Sequence, residues 1–180
     1  MSMNLTQEPR NTSEIYARRF LDFGPDETII NWAENMVLAG YDTCSLSILL
    51  GEIAPFNKFE IDEMLDCIHS ELQLPKIQNR SEALKIIATV YVHRFLAGVT
   101  NSASTLFALT QLYINEERDD VLYDFYLLHN AAADLEFEEI QYYWPDANRK
   151  NIEKIILDRC RSWIEQHPLN SWRRFECAFS

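Results

Sequence analysis

Glycine is scarce in this chain, at 4 of 180 residues, against a usage of roughly 7% in average proteins. Glycine supplies the positive φ angles that two-residue β-hairpins and phosphate-binding loops need, so the chain has few residues suited to either structure. No window of helical length alternates apolar and polar residues at the period of two expected of a half-buried strand. The sequence therefore predicts an all-α fold.

Apolar residues recur at helical spacing in about eight segments of the chain. In the fourth segment the stripe is spaced i, i+3, i+4, i+7 and i+11, and consists of Ile61, Met64, Leu65, Ile68 and Leu72. With 47% hydrophobic residues, a chain of this length can build one core of ordinary size. We therefore predict a flexible N-terminal lead at residues 1–12 and a single helical domain at residues 13–180.

Residues suited to helix ends place several of the predicted boundaries. Gly24 is expected to end the first helix, and Asp42 to cap the third. Asn57 and Glu60 have the spacing of a capping box at the start of the fourth helix. Asn101 can cap the sixth helix. The residues suited to helix ends therefore agree with the helix positions that the apolar periodicity predicts.

One short segment occurs twice. The sequence Leu-Ala-Gly at residues 38–40 recurs 58 residues later at residues 96–98, and each copy ends a predicted helix that is followed by a polar cap and another helix. This pattern is typical of a duplicated three-helix unit. The predicted architecture is therefore a right-handed α-α superhelix (HEAT-like) or an irregular bundle that contains such a duplication.

Charge is unevenly distributed along the chain. The formal net charge is -12, with -15 in residues 1–147 and +3 in residues 148–180. Between residues 111 and 146, Arg118 is the only basic residue among ten acidic ones. Such a surface repels nucleic acid and anionic lipid, and no stretch approaches 18 uncharged apolar residues. We expect neither nucleic acid nor membrane as a partner.

The cysteines and the N-terminal residues favour a cytoplasmic location. The cysteines have no CxxC or CxxH spacing, so neither a zinc ribbon nor a redox motif is present; they are Cys44, Cys67, Cys160 and Cys177. A reducing compartment suits them. The first residues also lack the apolar region of a secretory signal.

Catalytic signatures are missing from the sequence. There is no G-x-S-x-G motif, Walker loop or Glu-x-x-His pair, so we assign no catalytic residue, no metal ligand and no cofactor. His129 shares a helix face with Leu122 and Phe125, where a partly dry setting would suit a catalytic base or an ordinary hydrogen-bonded core histidine. The same two interpretations apply to His93. An enzyme or small-ligand binder with an interhelical pocket near these histidines is the alternative hypothesis.

The acidic segment 111–146 is also rich in aromatic residues, with 8 of the 22 in the chain. Tyrosine and tryptophan give a large contact area at low entropic cost, and nearby carboxylates would steer a basic partner toward them. The predicted contact residues are Glu136, Glu138, Glu139, Tyr142, Tyr143 and Trp144. The alternative is a solvated acidic flank over ordinary aromatic packing, and we expect Phe125 and Tyr126 to be core residues.

Two stretches carry a resemblance to known proteins. They are WAENMVLAGYDTCSLSILLGE followed by FEIDEMLDCIHSELQL, and VYVHRFLAGVTNSASTLFALTQLYINEERDDVLYDFYLLHNAAADLE. This pattern resembles a loose group of uncharacterised bacterial all-helical proteins. The resemblance implies a small, acidic, cytoplasmic protein. Some similar proteins are encoded among toxin and immunity genes.

The sequence therefore predicts a non-enzymatic helical interaction module, immunity-like or adaptor in role, that presents an acidic aromatic face to a basic protein. A homodimer joined through an aromatic face is left open.

Overall fold

The computed structural model describes residues 10–176, which contain eight α-helices, two short 3-10 helices and no β-strand. This confirms the predicted all-α class. The α-helices are α1 (Thr12–Phe20), α2 (Thr28–Leu38), α3 (Cys44–Leu49), α4 (Lys58–Leu72), α5 (Arg80–Leu96), α6 (Ser102–Asn115), α7 (Tyr123–Phe137) and α8 (Ile152–Gln166). The 3-10 helices are Asp120–Leu122 and Arg173–Phe175.

The described residues fall into two compact units. Unit 1 consists of residues 10–83 and 169–176, and unit 2 of residues 84–168. Most of the predicted N-terminal lead lies outside the described residues, whereas Asn11 and Thr12 are buried at the start of α1. None of the helices in residues 10–176 is both long and apolar enough to cross a membrane.

Unit 1 is built around α2, α3 and α4. The side chains that are at most 2% exposed on these helices are Trp32, Ala33, Met36, Leu46, Leu49, Ile61, Leu65 and Ile68. Three of the five residues of the predicted α4 stripe are therefore fully buried, and Met64 and Leu72 are half-buried. The stripe thus faces the core of this unit, as its spacing predicts.

Unit 2 combines most of α5 with α6, α7 and α8. Its centre holds Phe125 of α7, whose ring packs edge-on against Trp163 of α8 with centroids 5.2 Å apart. Aliphatic residues of α5 and α6 are also buried in this unit, among them Ile87, Leu106 and Leu109, all at most 1% exposed. The core of unit 2 therefore draws on every one of its helices.

Several helix ends differ from their predicted positions. Helix α1 ends at Phe20, because Asp22 adopts a left-handed φ of 65° and the Phe23 amide donates back to the Arg18 carbonyl at 3.0 Å. Helix α3 is capped by Thr43, whose hydroxyl accepts from the Leu46 amide. Asp22 thus ends α1 where Gly24 was predicted to do so, and Thr43 caps α3 where Asp42 was predicted to do so.

Asparagine caps behave closer to expectation. The Asn101 side chain accepts from the Ser104 amide at 2.8 Å, which confirms it as the cap of α6. The Asn57 side chain caps α4 through the Phe59 amide at 3.1 Å. No return bond from the Glu60 carboxylate forms within the described part of the chain, so the capping box is only half made.

The two Leu-Ala-Gly segments end their helices in the same way. Gly40 and Gly98 have left-handed φ angles of 94° and 75°. In each case the glycine amide donates to the carbonyl three residues earlier, and the next amide donates to the carbonyl five residues earlier, at 2.9–3.0 Å. This pair of bonds is the Schellman motif, in which glycine avoids the steric cost of a Cβ. The superhelix and the duplicated unit remain predictions.

Candidate functional site

The segment between α7 and α8, residues 138–151, together with Phe137 at the end of α7, exposes large apolar side chains in unit 2. We call residues 137–151 the α7–α8 loop. Phe137 is 83% exposed, Ile140 65% and Tyr142 90%. Tyr143 is also exposed, and Trp144 is half-buried. Exposed apolar groups that lie together mark interaction sites more often than single ones do.

The Gln141 side chain organises the first half of this loop. Its Oε1 accepts from the amides of Tyr143 and Trp144, both at 2.8 Å. Its Nε2 donates to the carbonyls of Trp144 and Ala147, at 2.6 and 3.0 Å. The aromatic residues are therefore presented on backbone that one side chain holds through four hydrogen bonds.

Asparagine side chains organise the second half of the α7–α8 loop. Asn151 Oδ1 accepts from the Asn148 amide at 2.7 Å, and Asn151 Nδ2 donates to the Asp146 carbonyl at 2.9 Å. Asn148 Oδ1 in turn accepts from the Lys150 amide. These local bonds compete with helix formation, which is why α8 begins only at Ile152.

The carboxylates of the α7–α8 loop are solvated. Glu136, Glu138 and Glu139 are all exposed, and none of their carboxylates pairs with a basic side chain among residues 10–176. Elsewhere basic residues do pair: Arg159 binds Asp124 at 2.9 Å in unit 2, and Arg19 binds Asp66 at 2.8 Å in unit 1. The negative charge at the loop is thus available to a partner.

The aromatic segment predicted from sequence divides into a packed part and an exposed part. Tyr113, Tyr123 and Tyr126 form a cluster with ring centroids 5.0–6.1 Å apart, and Phe125 is fully buried. Phe125 is therefore core, as expected, whereas Tyr126 is only half-buried. The exposed part is the α7–α8 loop, which contains Tyr142, Tyr143 and Trp144.

A pocket of about 270 Å³ opens beside His129 in unit 2. Its apolar lining comes from α6, α7 and α8, and its polar lining residues are Ser102, His129, Glu136, Arg149 and Glu153. Glu136, directly before the α7–α8 loop, and Arg149, near the end of the loop, form part of its wall. We call this the His129 pocket.

Hydrogen bonds hold Arg149, Ser102 and Glu153 in the lining of the His129 pocket. Arg149 Nε donates to the Leu135 carbonyl at 2.6 Å, and its Nη2 lies 3.5 Å from the Glu136 carbonyl. The guanidinium therefore sits on the carbonyl end of α7, where the helix dipole favours a cation. Ser102 Oγ donates to Glu153 Oε1 at 3.0 Å, which fixes that carboxylate at the start of α6.

His129 lies partly buried in this pocket. Its ring is 6.1 Å from that of Phe107 between centroids, and its nitrogens have no hydrogen-bond partner among the described residues. Burial lowers the pKa of His129, so the ring is neutral near pH 7. His93 does not join it: it lies half-buried on α5, outside the lining of the His129 pocket, and burial lowers its pKa too.

The sequence did not predict the polar lining of the His129 pocket or a second pocket in unit 1. Arg149, Ser102 and Glu153 have no motif spacing, because the pocket they line is assembled from helices distant in sequence. Unit 1 has a second pocket, of about 460 Å³, lined in part by Arg19, His69 and Lys76. Its aromatic lining includes Phe20 and Tyr16, and the Tyr16 hydroxyl donates to the Leu65 carbonyl at 2.8 Å.

Fold and site together define an all-α protein that carries an ordered, exposed aromatic loop next to a small polar pocket. No group of three His, Cys, Asp or Glu side chains in residues 10–176 is arranged to hold a metal ion. Comparison of the chain with protein-family models, with curated proteins and with solved structures finds no match.

Proposed function

We propose that this chain is a non-enzymatic helical interaction module, immunity-like or adaptor in role, which acts in the cytoplasm and binds a basic protein through the α7–α8 loop. The observation that carries the proposal is the exposure of Phe137, Ile140 and Tyr142 on a loop held by Gln141. A loop that is ordered before binding loses little conformational entropy on association.

The negative charge of the carboxylates near the α7–α8 loop supports a basic protein as the partner. The exposed, unpaired carboxylates of Glu136, Glu138 and Glu139 lie next to the exposed Phe137 and Ile140 in the sequence, and aromatic anchors with complementary charge at the rim are typical of specific interfaces.

The proposal can be tested with matched charge reversals. The full chain is immobilised and exposed to a lysate of its source organism at low and moderate salt. We expect the immobilised wild type to retain a basic protein that the immobilised double variant Glu138→Lys/Glu139→Lys does not retain. The control is Glu60→Lys/Glu63→Lys, which makes the same charge change at exposed positions of α4.

A matched pair of aromatic truncations distinguishes binding through the α7–α8 loop from nonspecific binding to any exposed aromatic side chain. Tyr142→Ala removes a side chain that is 90% exposed, and Phe59→Ala removes one that is 80% exposed in unit 1. We expect at least a tenfold loss of partner affinity for Tyr142→Ala and less than a twofold change for Phe59→Ala. Equal effects of the two truncations, or of the two charge reversals, would contradict the proposal.

The alternative is a small-ligand binder or enzyme centred on His129. It is favoured by one observation, namely that the unpartnered ring of His129 lines an open pocket. Screening small metabolites by NMR would test it: a compound that binds tightly and shifts the His129 ring signals, with no protein partner retained, would replace the interaction proposal.

A further inference from the structure

The His129 pocket adjoins both ends of the α7–α8 loop. Glu136 lines the pocket and is followed directly by the exposed Phe137, while Arg149 and Ile152 line it where the loop ends. A partner that contacts the loop next to Glu136 or at Arg149 therefore lies beside the pocket. Building on the proposed function, we propose that the pocket receives a lysine or arginine side chain of the partner.

The carboxylates of the pocket favour a cation. Glu153 uses Oε1 to accept from Ser102, and its Oε2 has no partner among residues 10–176. The carboxylate of Glu136 has none in the same part of the chain. Both can accept hydrogen bonds from an ammonium or guanidinium group, and charged pairs of this kind are stronger than neutral ones.

The positive groups of the pocket do not cancel this preference. Arg149 is bound to the carbonyls of Leu135 and Glu136, so its charge is partly balanced by the negative end of the α7 dipole. His129 is neutral near pH 7, because burial lowers its pKa. Two carboxylates against one cation leave the charged lining net negative.

The size and apolar lining of the pocket fit a single long side chain. Its volume of about 270 Å³ is below the roughly 300–1,000 Å³ of clefts that take drug-sized ligands. Leu106, Ile152 and Ile156 form part of its wall. Lysine and arginine bury their methylene stems on such surfaces and keep the charged head at the polar edge.

Capped amino acids are suitable probes of the intact chain. NMR spectra are recorded while N-acetyl-lysine amide, N-acetyl-arginine amide, N-acetyl-norleucine amide or N-acetyl-glutamate amide is added. We expect saturable shifts of the His129 ring and of the Ala132, Ala133 and Ile152 amides with at least one basic probe. Norleucine has an aliphatic stem without the charge, and should bind at least tenfold more weakly.

Two double variants identify the carboxylates responsible. Glu136→Gln/Glu153→Gln should weaken the basic probe at least tenfold, whereas Glu60→Gln/Glu63→Gln in unit 1 should leave its affinity unchanged. Circular dichroism confirms that each variant is folded. Equal binding of norleucine, stronger binding of the glutamate probe, or no saturable shift with any probe would overturn the inference.

The same variants separate this inference from the proposed function. If Glu136→Gln/Glu153→Gln binds the partner as tightly as the wild type, while Glu138→Lys/Glu139→Lys does not, the pocket inference fails and the interaction surface stands. If neither variant affects the partner, the proposed function fails. Loss of affinity in both supports the pocket as part of the interface.

Discussion

Each unit contains a buried tryptophan whose indole donates to a threonine hydroxyl. In unit 1, Trp32 Nε1 donates to Thr12 Oγ1 at 2.9 Å, and that hydroxyl donates to the Phe175 carbonyl at 2.6 Å. In unit 2, Trp163 Nε1 donates to Thr89 Oγ1 at 3.0 Å, and Thr89 donates to the His167 carbonyl at 3.3 Å. In both units a single hydroxyl joins a core tryptophan to a later segment of the chain.

The role of Thr89 can be tested against a second threonine in unit 2. Thr89→Val leaves the buried Trp163 N–H without an acceptor, so we expect the free energy of unfolding to fall by about 1–3 kcal/mol. Thr110 is also buried, but its hydroxyl has no partner among the described residues. Thr110→Val should therefore be neutral or stabilising. Urea denaturation measures both, and a loss from Thr110→Val as large as that from Thr89→Val would contradict the argument.

Glu176 makes the stability of unit 1 depend on pH. Its Oε1 accepts from the Ser13 amide at 3.0 Å, its Oε2 is buried without a partner among residues 10–176, and burial raises its pKa from 4.5 to about 7. Nearby Glu14 acts in the same direction. A raised pKa means that the folded state holds the proton more tightly, so this contribution is present below pH 4.5 and is lost as pH rises through about 7.

We expect Glu176→Gln to remove this pH dependence, because the amide is neutral throughout. The measurement is the stability of α1, followed by amide hydrogen exchange of its residues at pH 5 and pH 8 after correction for intrinsic rates. Protection in the wild type should fall between these values, and protection in the variant should not. Identical profiles for the two proteins would show that Glu176 is not responsible.

The setting of His129 could be predicted from local sequence patterns, whereas the polar lining of the His129 pocket could not. The apolar face shared by His129, Leu122 and Phe125 follows from helical spacing alone, and it correctly indicated a partly dry environment. Ser102 and Glu153 are 51 residues apart, so no local pattern links them. Their meeting depends on how three helices pack.

At the scale of elements, several helix ends that rely on one residue were predicted at the correct residue, whereas the loop that relies on a side-chain network was not predicted. Gly40, Gly98 and Asn101 end or begin helices through bonds to their immediate neighbours. The α7–α8 loop instead depends on Gln141, a residue type that favours helices. Periodicity therefore gave no warning that the chain leaves the helix after Phe137.

Gln141→Ala should loosen the α7–α8 loop without unfolding unit 2. The variant loses four hydrogen bonds to backbone atoms of the loop, so we expect the Tyr143 and Trp144 amides to exchange at least tenfold faster. The change in global unfolding free energy should be small, about 1 kcal/mol or less, because the loop is exposed. Gln111→Ala, at an exposed position of α6, serves as the control and should leave loop exchange unchanged.

At the scale of the whole molecule, the exposed apolar side chains of the α7–α8 loop directly follow the acidic residues of α7, and the loop itself carries Glu138, Glu139 and Asp146 against Arg149 and Lys150. The net charge of -9 between residues 111 and 146 was readable from sequence, but the exposed apolar residues of the loop were not separable from core aromatics until the fold was known. Two copies of this surface would bring like charges together. That repulsion opposes self-association, and salt screens it.

We therefore expect the mass from light scattering to be that of one chain in low salt. If copies do associate through the α7–α8 loop, the mass should rise with ionic strength and Tyr142→Ser should prevent the rise. A dimer that is stable in low salt and unaffected by Tyr142→Ser would show that the homodimer forms through another surface, such as the one that exposes Ile53 and Phe59 in unit 1.

The burial of three tryptophans gives the chain an internal optical reporter. Trp32, Trp163 and Trp172 are at most 2% exposed, whereas Trp144 is half-buried in the α7–α8 loop. A small aqueous quencher such as iodide or acrylamide therefore reaches Trp144 far more readily than the other three. Quenching of intrinsic fluorescence can thus detect a partner on the loop, with no label attached.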